Sequence, residues 1–223
     1  MKKYTRERFE QNFYSAEQEP EIRTAQLAMT LGTLSMEFSH IERAPRYDDG
    51  RRENDAEHSF MLALVAPEII DALGLPLDKG LAAQYATVHD LIELKTLDQP
   101  TLLFTEDQQL QKELNEQAAL RELLDELPPH TSKMLLQYEH QSDPESRFVR
   151  YIDKLLPLVI DSVGCGAKVM KEVYDITSVE QLQECHDKLH VRLVQKFGNE
   201  FSEIDLAHQL LCEMFETCFA QEV

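Results

Sequence analysis

Between Ile22 and His40, apolar residues recur at helical spacing: Ala25, Leu27, Ala28, Leu31, Leu34 and Phe38, continuing to Ile41. A polar stretch from Glu42 to Asp55 reads as a loop. Asn54 or Asp55 then caps a helix from Ala56 to about Leu73 that is apolar on nearly all sides, which predicts a central position. Pro67 falls inside it and predicts a bend. Gly74-Leu75-Pro76 breaks the chain, and Asp78 or Lys79 opens a helix that ends in His89-Asp90-Leu91-Ile92-Glu93. Thr105-x-x-Gln108 forms a capping box for a polar helix to about Leu127, stopped by Pro128-Pro129. A short helix spans about Ser132 to His140. Asp143 and Pro144, as N-cap and first residue, start a long helix carrying Phe148, Val149, Tyr151, Ile152, Leu155, Leu156 and Val159. Pro157 bends that helix, because it has no N–H to give to the carbonyl of Asp153. Gly164-Cys165-Gly166 reads as a flexible spot. Thr177-x-x-Glu180 caps a helix to Phe197 that Gly198 stops, and a last helix runs from about Ser202 to Ala220. No useful length of chain shows the alternation of a strand. The expectation is an all-α protein with one globular domain, residues 23–223, behind a polar N-terminal arm, residues 1–22.

At 223 residues with 43% apolar content, the chain is long enough for a sizeable core and reads as an ordinary soluble globular protein. No apolar run reaches the ~18 residues of a membrane span. Met1-Lys2-Lys3-Tyr4 has no apolar segment behind it, so no signal peptide is expected. The four cysteines include no Cys-x-x-Cys pair and are expected to be reduced thiols in the cytoplasm. The net charge of −19 is spread along the chain and repels nucleic-acid phosphates, which argues against duplex binding. A small phosphate ester is still admissible where a metal and one or two arginines reverse the local sign. A homodimer is left open.

Candidate chemistry enters through polar residues standing where core residues would fit. His58 lies in the first turn of one apolar helix, His89 and Asp90 end another, and Asp153 sits among apolar neighbours in a third. Each is a good ligand for a divalent ion, and buried carboxylates need a cation or donors to compensate them. Two neutral imidazoles and two carboxylates make a nearly neutral complex with such an ion and leave positions open for water. Arg46, Arg51 and Arg52 on the loop before His58 are either an anion pocket or solvated loop charges.

The order His58 … His89-Asp90 … Asp153 resembles the HD-domain superfamily of metal-dependent phosphohydrolases. More narrowly it is similar to the bacterial 5′-deoxynucleotidase (YfbR-like) branch, through Arg43-Ala44-Pro45, Asn54-Asp55-Ala56-Glu57-His58-Ser59, His89-Asp90-Leu91-Ile92-Glu93, Asp98-Gln99-Pro100-Thr101 and Asp153-Lys154-Leu155. These motifs span roughly residues 25 to 195. The resemblance implies an HD-domain helical bundle that releases phosphate from nucleoside 5′-monophosphates. His58, His89, Asp90 and Asp153 would hold a divalent ion, whether cobalt, manganese, magnesium, zinc or iron. Arg43 would bind the phosphate, Glu93 would orient water, and Asp98 would contact substrate and transfer a proton.

The chain departs from that branch in two places, the first being that the deoxynucleotidases carry a Trp next to the sugar where this chain has Ala44. The loop Tyr47-Asp48-Asp49-Gly50 is also unusually acidic. The phosphate machinery therefore matches better than the sugar machinery. Alternatives within the superfamily are hydrolysis of nucleoside triphosphates or alarmones and diiron oxygenation; outside it, a non-catalytic helical binding protein.

Overall fold

A computed structural model describes residues 19–197 and 200–222. Most of the expected arm and Gly198 lie outside them. Pro20 begins the first helix, α1 (Pro20–Phe38), so the last residues assigned to the arm are helical, with Pro20 at a position where its missing N–H costs nothing.

The segment expected as a loop is a hairpin. β1 (Glu42–Arg46) pairs antiparallel with β2 (Arg52–Asn54), with Glu42 opposite Asn54 and Arg46 opposite Arg52. Gly50, at φ 83°, supplies the left-handed residue of the turn. The hairpin buries Arg43 and Glu53 beside Ala44 and Pro45, so its inward face is charged and shows no hydrophobic alternation.

Asn54 caps α2 (Asp55–Leu73) through a reciprocal box. The Glu57 N–H donates to Asn54 Oδ1 at 3.0 Å, and the Asn54 N–H donates to Glu57 Oε2 at 3.2 Å. Pro67 lies inside the assigned helix without ending it. The helix is less central than its composition predicts. Asp55, His58, Ser59, Leu62, Ala66 and Ile70 form one buried face, while Phe60 and Leu64 on the other side are exposed.

Gly74, left-handed at φ 61°, ends α2, and Asp78 caps α3 (Lys79–Val88) by accepting from the N–H groups of Gly80 and Leu81. α3 stops one residue before His89; the chain turns there and resumes as the single-turn α4 (Glu93–Thr96). Thr105 and Gln108 form the expected box at the start of α5 (Glu106–Glu126). α6 (Pro129–His140) follows.

The long helix expected after Asp143 is two. α7 (Pro144–Ile152) ends at Asp153, and α8 (Leu156–Val163) starts again with Pro157 in its first turn. A proline with no N–H for the Asp153 carbonyl breaks the helix here rather than bending it.

α9 (Gly166–Tyr174), α10 (Val179–Phe197) and α11 (Ser202–Phe219) complete the fold. The cap of α10 sits one residue later than Thr177-x-x-Glu180: the Ser178 hydroxyl accepts from Gln181 N–H at 3.3 Å, and Gln181 Oε1 accepts from Ser178 N–H at 3.1 Å. Gly164 is a point of close approach, not a flexible spot. A Cβ there would come within 2.1 Å of the Arg46 carbonyl, and the next residue, Cys165, donates its N–H to that carbonyl at 3.0 Å. The hairpin is thereby pinned to the turn between α8 and α9.

The main core packs Leu62, Ala66 and Ile70 of α2 against Ala82, Tyr85 and Ala86 of α3 and Phe148, Val149 and Ile152 of α7. A second cluster joins Ala44 to Leu158, Val169, Met170 and Phe215. At roughly 25 cal/mol per Å² of apolar area, these clusters hold the helix ends that carry the polar groups described next. The architecture is all-α apart from the hairpin. Among the described residues no helix is long and apolar enough to cross a membrane.

Candidate metal centre and cleft

Two helix ends and one interhelical turn converge at the hairpin's buried face. His58 arrives in the first turn of α2, where the Asn54–Glu57 box fixes the helix start. His89 and Asp90 lie in the turn that follows α3, and Asp153 ends α7 where Pro157 breaks the helix. One donor atom from each of the four lies within 4.8 Å of all the others. His58 Nε2 is 2.8 Å from Asp153 Oδ1; His89 Nε2 is 2.9 Å from Asp90 Oδ2 and 3.7 Å from Asp153 Oδ1.

The imidazoles are held in the orientation a cation needs. His89 Nδ1 is 2.9 Å from the Ala86 carbonyl, so Nδ1–H donates there and Nε2 is the nitrogen turned toward the other donors. That Nε2 is buried and makes no well-aligned hydrogen bond. His58 Nδ1 lies 3.5 Å from Glu53 Oε1, a carboxylate on β2 with no solvent exposure, which turns Nε2 toward Asp153.

The charge balance also fits a cation. Burial alone lowers the His89 pKa, yet Asp90 and Asp153 outweigh it and push it up to about 10. Burial likewise raises Asp153, but Lys154, His58 and His89 hold it well below the usual carboxylate range. Positive charge is wanted between these groups, and a divalent ion with neutral imidazoles supplies it.

Arg43, on β1, joins this group to a second set of acids. Its Nη1 is 2.8 Å from Asp90 Oδ2, 3.1 Å from Asp55 Oδ1 and 3.8 Å from Asp98 Oδ1, and its Nε is 3.2 Å from Glu53 Oε2. One buried guanidinium thus faces four carboxylates. Asp55, Asp90 and Glu93 also bring oxygens within 4.8 Å of one another. Burial, then Asp90, pushes Asp55 up to about 6 against the opposing pull of Arg43. Burial, then Asp90 and Asp98, raises Glu93 well above its ordinary value, and burial raises Asp98. Leu97 precedes Asp98 at φ 62° and ψ 154°, a costly conformation for a branched residue. That strained step turns the chain out of α4 toward the cleft.

The cleft has a volume of about 460 Å³, and its wall includes Arg43, His89, Asp90, Glu93, Asp98 and Asp153. Arg46, Arg51 and Arg52 do not form an anion pocket: they pair with Glu172, Glu57 and Glu42 at 2.7, 2.8 and 3.8 Å. The cations on the cleft wall besides Arg43 are Lys112, Arg150, Lys154, Arg192 and Lys196. Arg150 and Lys112 pair with Glu139 and Glu116. Arg192 and Lys196, one turn apart on α10, have no carboxylate within 4 Å among the described residues. Arg192 reaches only the Leu102 carbonyl, at 3.2 Å.

Glu53 and Asp55 were not singled out as site residues by the sequence. Asp55 reads as a helix cap and Glu53 as part of an exposed charge run, and only the hairpin's register turns Glu53 inward. Asp161, also on the cleft wall, does have a sequence signal: it is the lone acid in Leu-Pro-Leu-Val-Ile-Asp-Ser-Val.

The HD-domain family model matches residues 38–193, a span containing all four converging donors. The chain belongs to the HD-domain family. Among solved structures it resembles a predicted metal-dependent phosphohydrolase from Magnetospirillum magnetotacticum, at 24% identity and a TM-score of 0.66, covering 90% of this chain and 96% of that one. It also aligns with a conserved hypothetical protein from Pyrococcus furiosus, at 23% identity and a TM-score of 0.44, over 60% of this chain and 79% of the other. No functionally curated protein matches the chain.

Proposed function

We propose that this protein is a metal-dependent phosphohydrolase that releases phosphate from nucleoside 5′-monophosphates. The observation that carries the reading is the convergence of His58, His89, Asp90 and Asp153, with His89 Nε2 buried and unsatisfied among them. Family membership and the likeness to the predicted Magnetospirillum phosphohydrolase support it. A divalent ion held by these four residues would acidify water and withdraw charge from a phosphoryl oxygen.

The chain's own residues divide the remaining work. Arg43 holds the phosphate, exchanging part of its contact with Asp55 and Asp90 for the incoming anion. Asp98, raised by burial, carries a proton for the leaving oxygen, and Glu93 orients water from the start of α4. The Glu53 carboxylate, 3.5 Å from His58 Nδ1, biases the orientation of that ring electrostatically.

A nucleoside triphosphate or alarmone is the second reading, and it has its own support. Among the described residues Arg192 and Lys196 face the cleft without carboxylate partners, although the chain's net charge is −19, and additional phosphates would neutralise them. Phosphate release across nucleoside mono-, di- and triphosphates, with divalent ions supplied singly, tests both. Turnover of monophosphates is expected. Hydrolysis confined to di- or triphosphates would replace the first reading with the second, and no release from any of them would overturn both.

A further inference from the structure

Asp161 sits on α8, 7% exposed, on the cleft wall but outside the four-donor group. Its Oδ1 is buried with no hydrogen-bond partner, and among the described residues no cation lies within 4 Å of its carboxylate. A carboxyl so placed is costly to bury, and among the described residues no partner compensates its Oδ1.

Its surroundings separate it from the phosphate machinery. Leu158, one turn earlier on α8, belongs to the apolar cluster of Ala44, Val169, Met170 and Phe215, and these residues line the same cleft. Gly166 marks how tightly α8, α9 and α11 close there. A Cβ on it would lie 2.2 Å from the Asp161 carbonyl and 2.6 Å from the Phe215 ring. Tyr174 is close enough for Asp161 and Asp98 both to act on its hydroxyl. The cleft therefore has an ionic part, where the phosphoryl group would react, and an apolar part with one unsatisfied acceptor. Burial, then Glu53, raises Asp161 to about 7, so a donor that pairs with the carboxylate would stabilise its charged form.

We infer that Asp161 receives a hydroxyl or amino donor on the alcohol portion of the substrate. Resting on the phosphohydrolase reading above, this makes the substrate a phosphate ester whose leaving group combines an apolar body with a hydrogen-bond donor. A nucleoside fits that description; a plain alkyl or aryl alcohol does not. A site built to hydrogen-bond a donor discriminates against the analogue lacking it, because the acceptor is then left buried and unpaired.

The test is a binding comparison by calorimetry on the metal-loaded protein, which does not depend on turnover. The probes, each with a non-hydrolysable 5′-phosphonate in place of the phosphate, are adenosine 5′-monophosphate, its 2′,3′-dideoxy analogue, which lacks the sugar donors, and purine riboside 5′-monophosphate, which lacks the amino donor. Wild type is expected to bind one of the two analogues at least about tenfold more weakly than adenosine 5′-monophosphate. In Asp161→Leu that ratio should fall to within about twofold. Asp161→Asn preserves shape and an acceptor oxygen, should fold in any case, and should show an intermediate ratio. Equal discrimination in wild type and both variants, or none in wild type, overturns the assignment. A parallel assay of phosphate release from adenosine 5′-monophosphate itself reports on the phosphohydrolase reading separately. Release there with no Asp161-dependent ratio sinks this inference alone, and a ratio without release sinks only the activity.

Discussion

Arg43 Nη1 lies 2.8 Å from Asp90 Oδ2, which ties the cation expected to bind phosphate directly to one of the four donors expected to bind metal. Truncating it removes the phosphate contact and leaves Glu53, Asp55 and Asp90 with less compensation. We expect Arg43→Ala to raise KM for a phosphomonoester and lower kcat/KM by roughly 10- to 100-fold, the worth of a charge-assisted pair of about 1.5–3 kcal/mol. Unchanged kinetics would move the phosphate contact to Arg150, Lys154, Arg192 or Lys196.

Glu53 is expected to act on the metal through His58. Glu53→Gln keeps its shape but weakens the hold on His58 Nδ1, so metal affinity should fall by about 10- to 100-fold while helical circular dichroism is retained. Metal titration of the two proteins decides it, and equal affinities would reduce Glu53 to a partner of Arg43.

Asp161 gives a pH-dependent signature. Its folded pKa of about 7 lies above the ordinary value of 3.8, so the folded state prefers the proton. The stability associated with that proton is fully present below pH 3.8 and is lost as pH rises through about 7, by up to about 4 kcal/mol. Asp161→Asn abolishes this loss. The variant should melt at a higher temperature than wild type at pH 8, with the gap closing toward pH 4. Parallel melting curves at both pH values would contradict the burial argument.

Ala44 bears on the sugar. It is 6% exposed and packed with Leu158 and Val169, with its small side chain at the edge of the cleft. A bulky residue that would exclude a 2′-hydroxyl is absent at this position. Adenosine and deoxyadenosine 5′-monophosphates should therefore agree in kcat/KM within roughly two orders of magnitude. Exclusion of the ribonucleotide beyond that would require another residue to fill the space.

The helices, and the four donors on them, were legible because polar residues interrupt strongly apolar periodic segments. The hairpin was not, because a ladder that buries Arg43 and Glu53 shows no hydrophobic alternation. The break at Asp153 was visible through Pro157, but its depth was not. Whether a helix bends or stops depends on what the freed carbonyl and the flanking residues pack against. The choice between an anion pocket and solvated loop charges for Arg46, Arg51 and Arg52 stayed open for a related reason: their partners Glu172, Glu57 and Glu42 are set by the folded structure. Asp161 was visible as a lone acid in an apolar run, yet only the cleft gives it a role.

The central claim is that His58, His89, Asp90 and Asp153 hold one divalent ion on which phosphate release depends. Elemental analysis of wild type, His89→Ala and Asp153→Ala, paired with phosphate release before and after chelation, tests it most directly. We expect stoichiometric metal in wild type and near-complete loss in both variants with helical circular dichroism intact. Release should stop on chelation and return when a divalent ion is restored. Full metal retention in both variants, or a rate indifferent to chelation, would contradict the account.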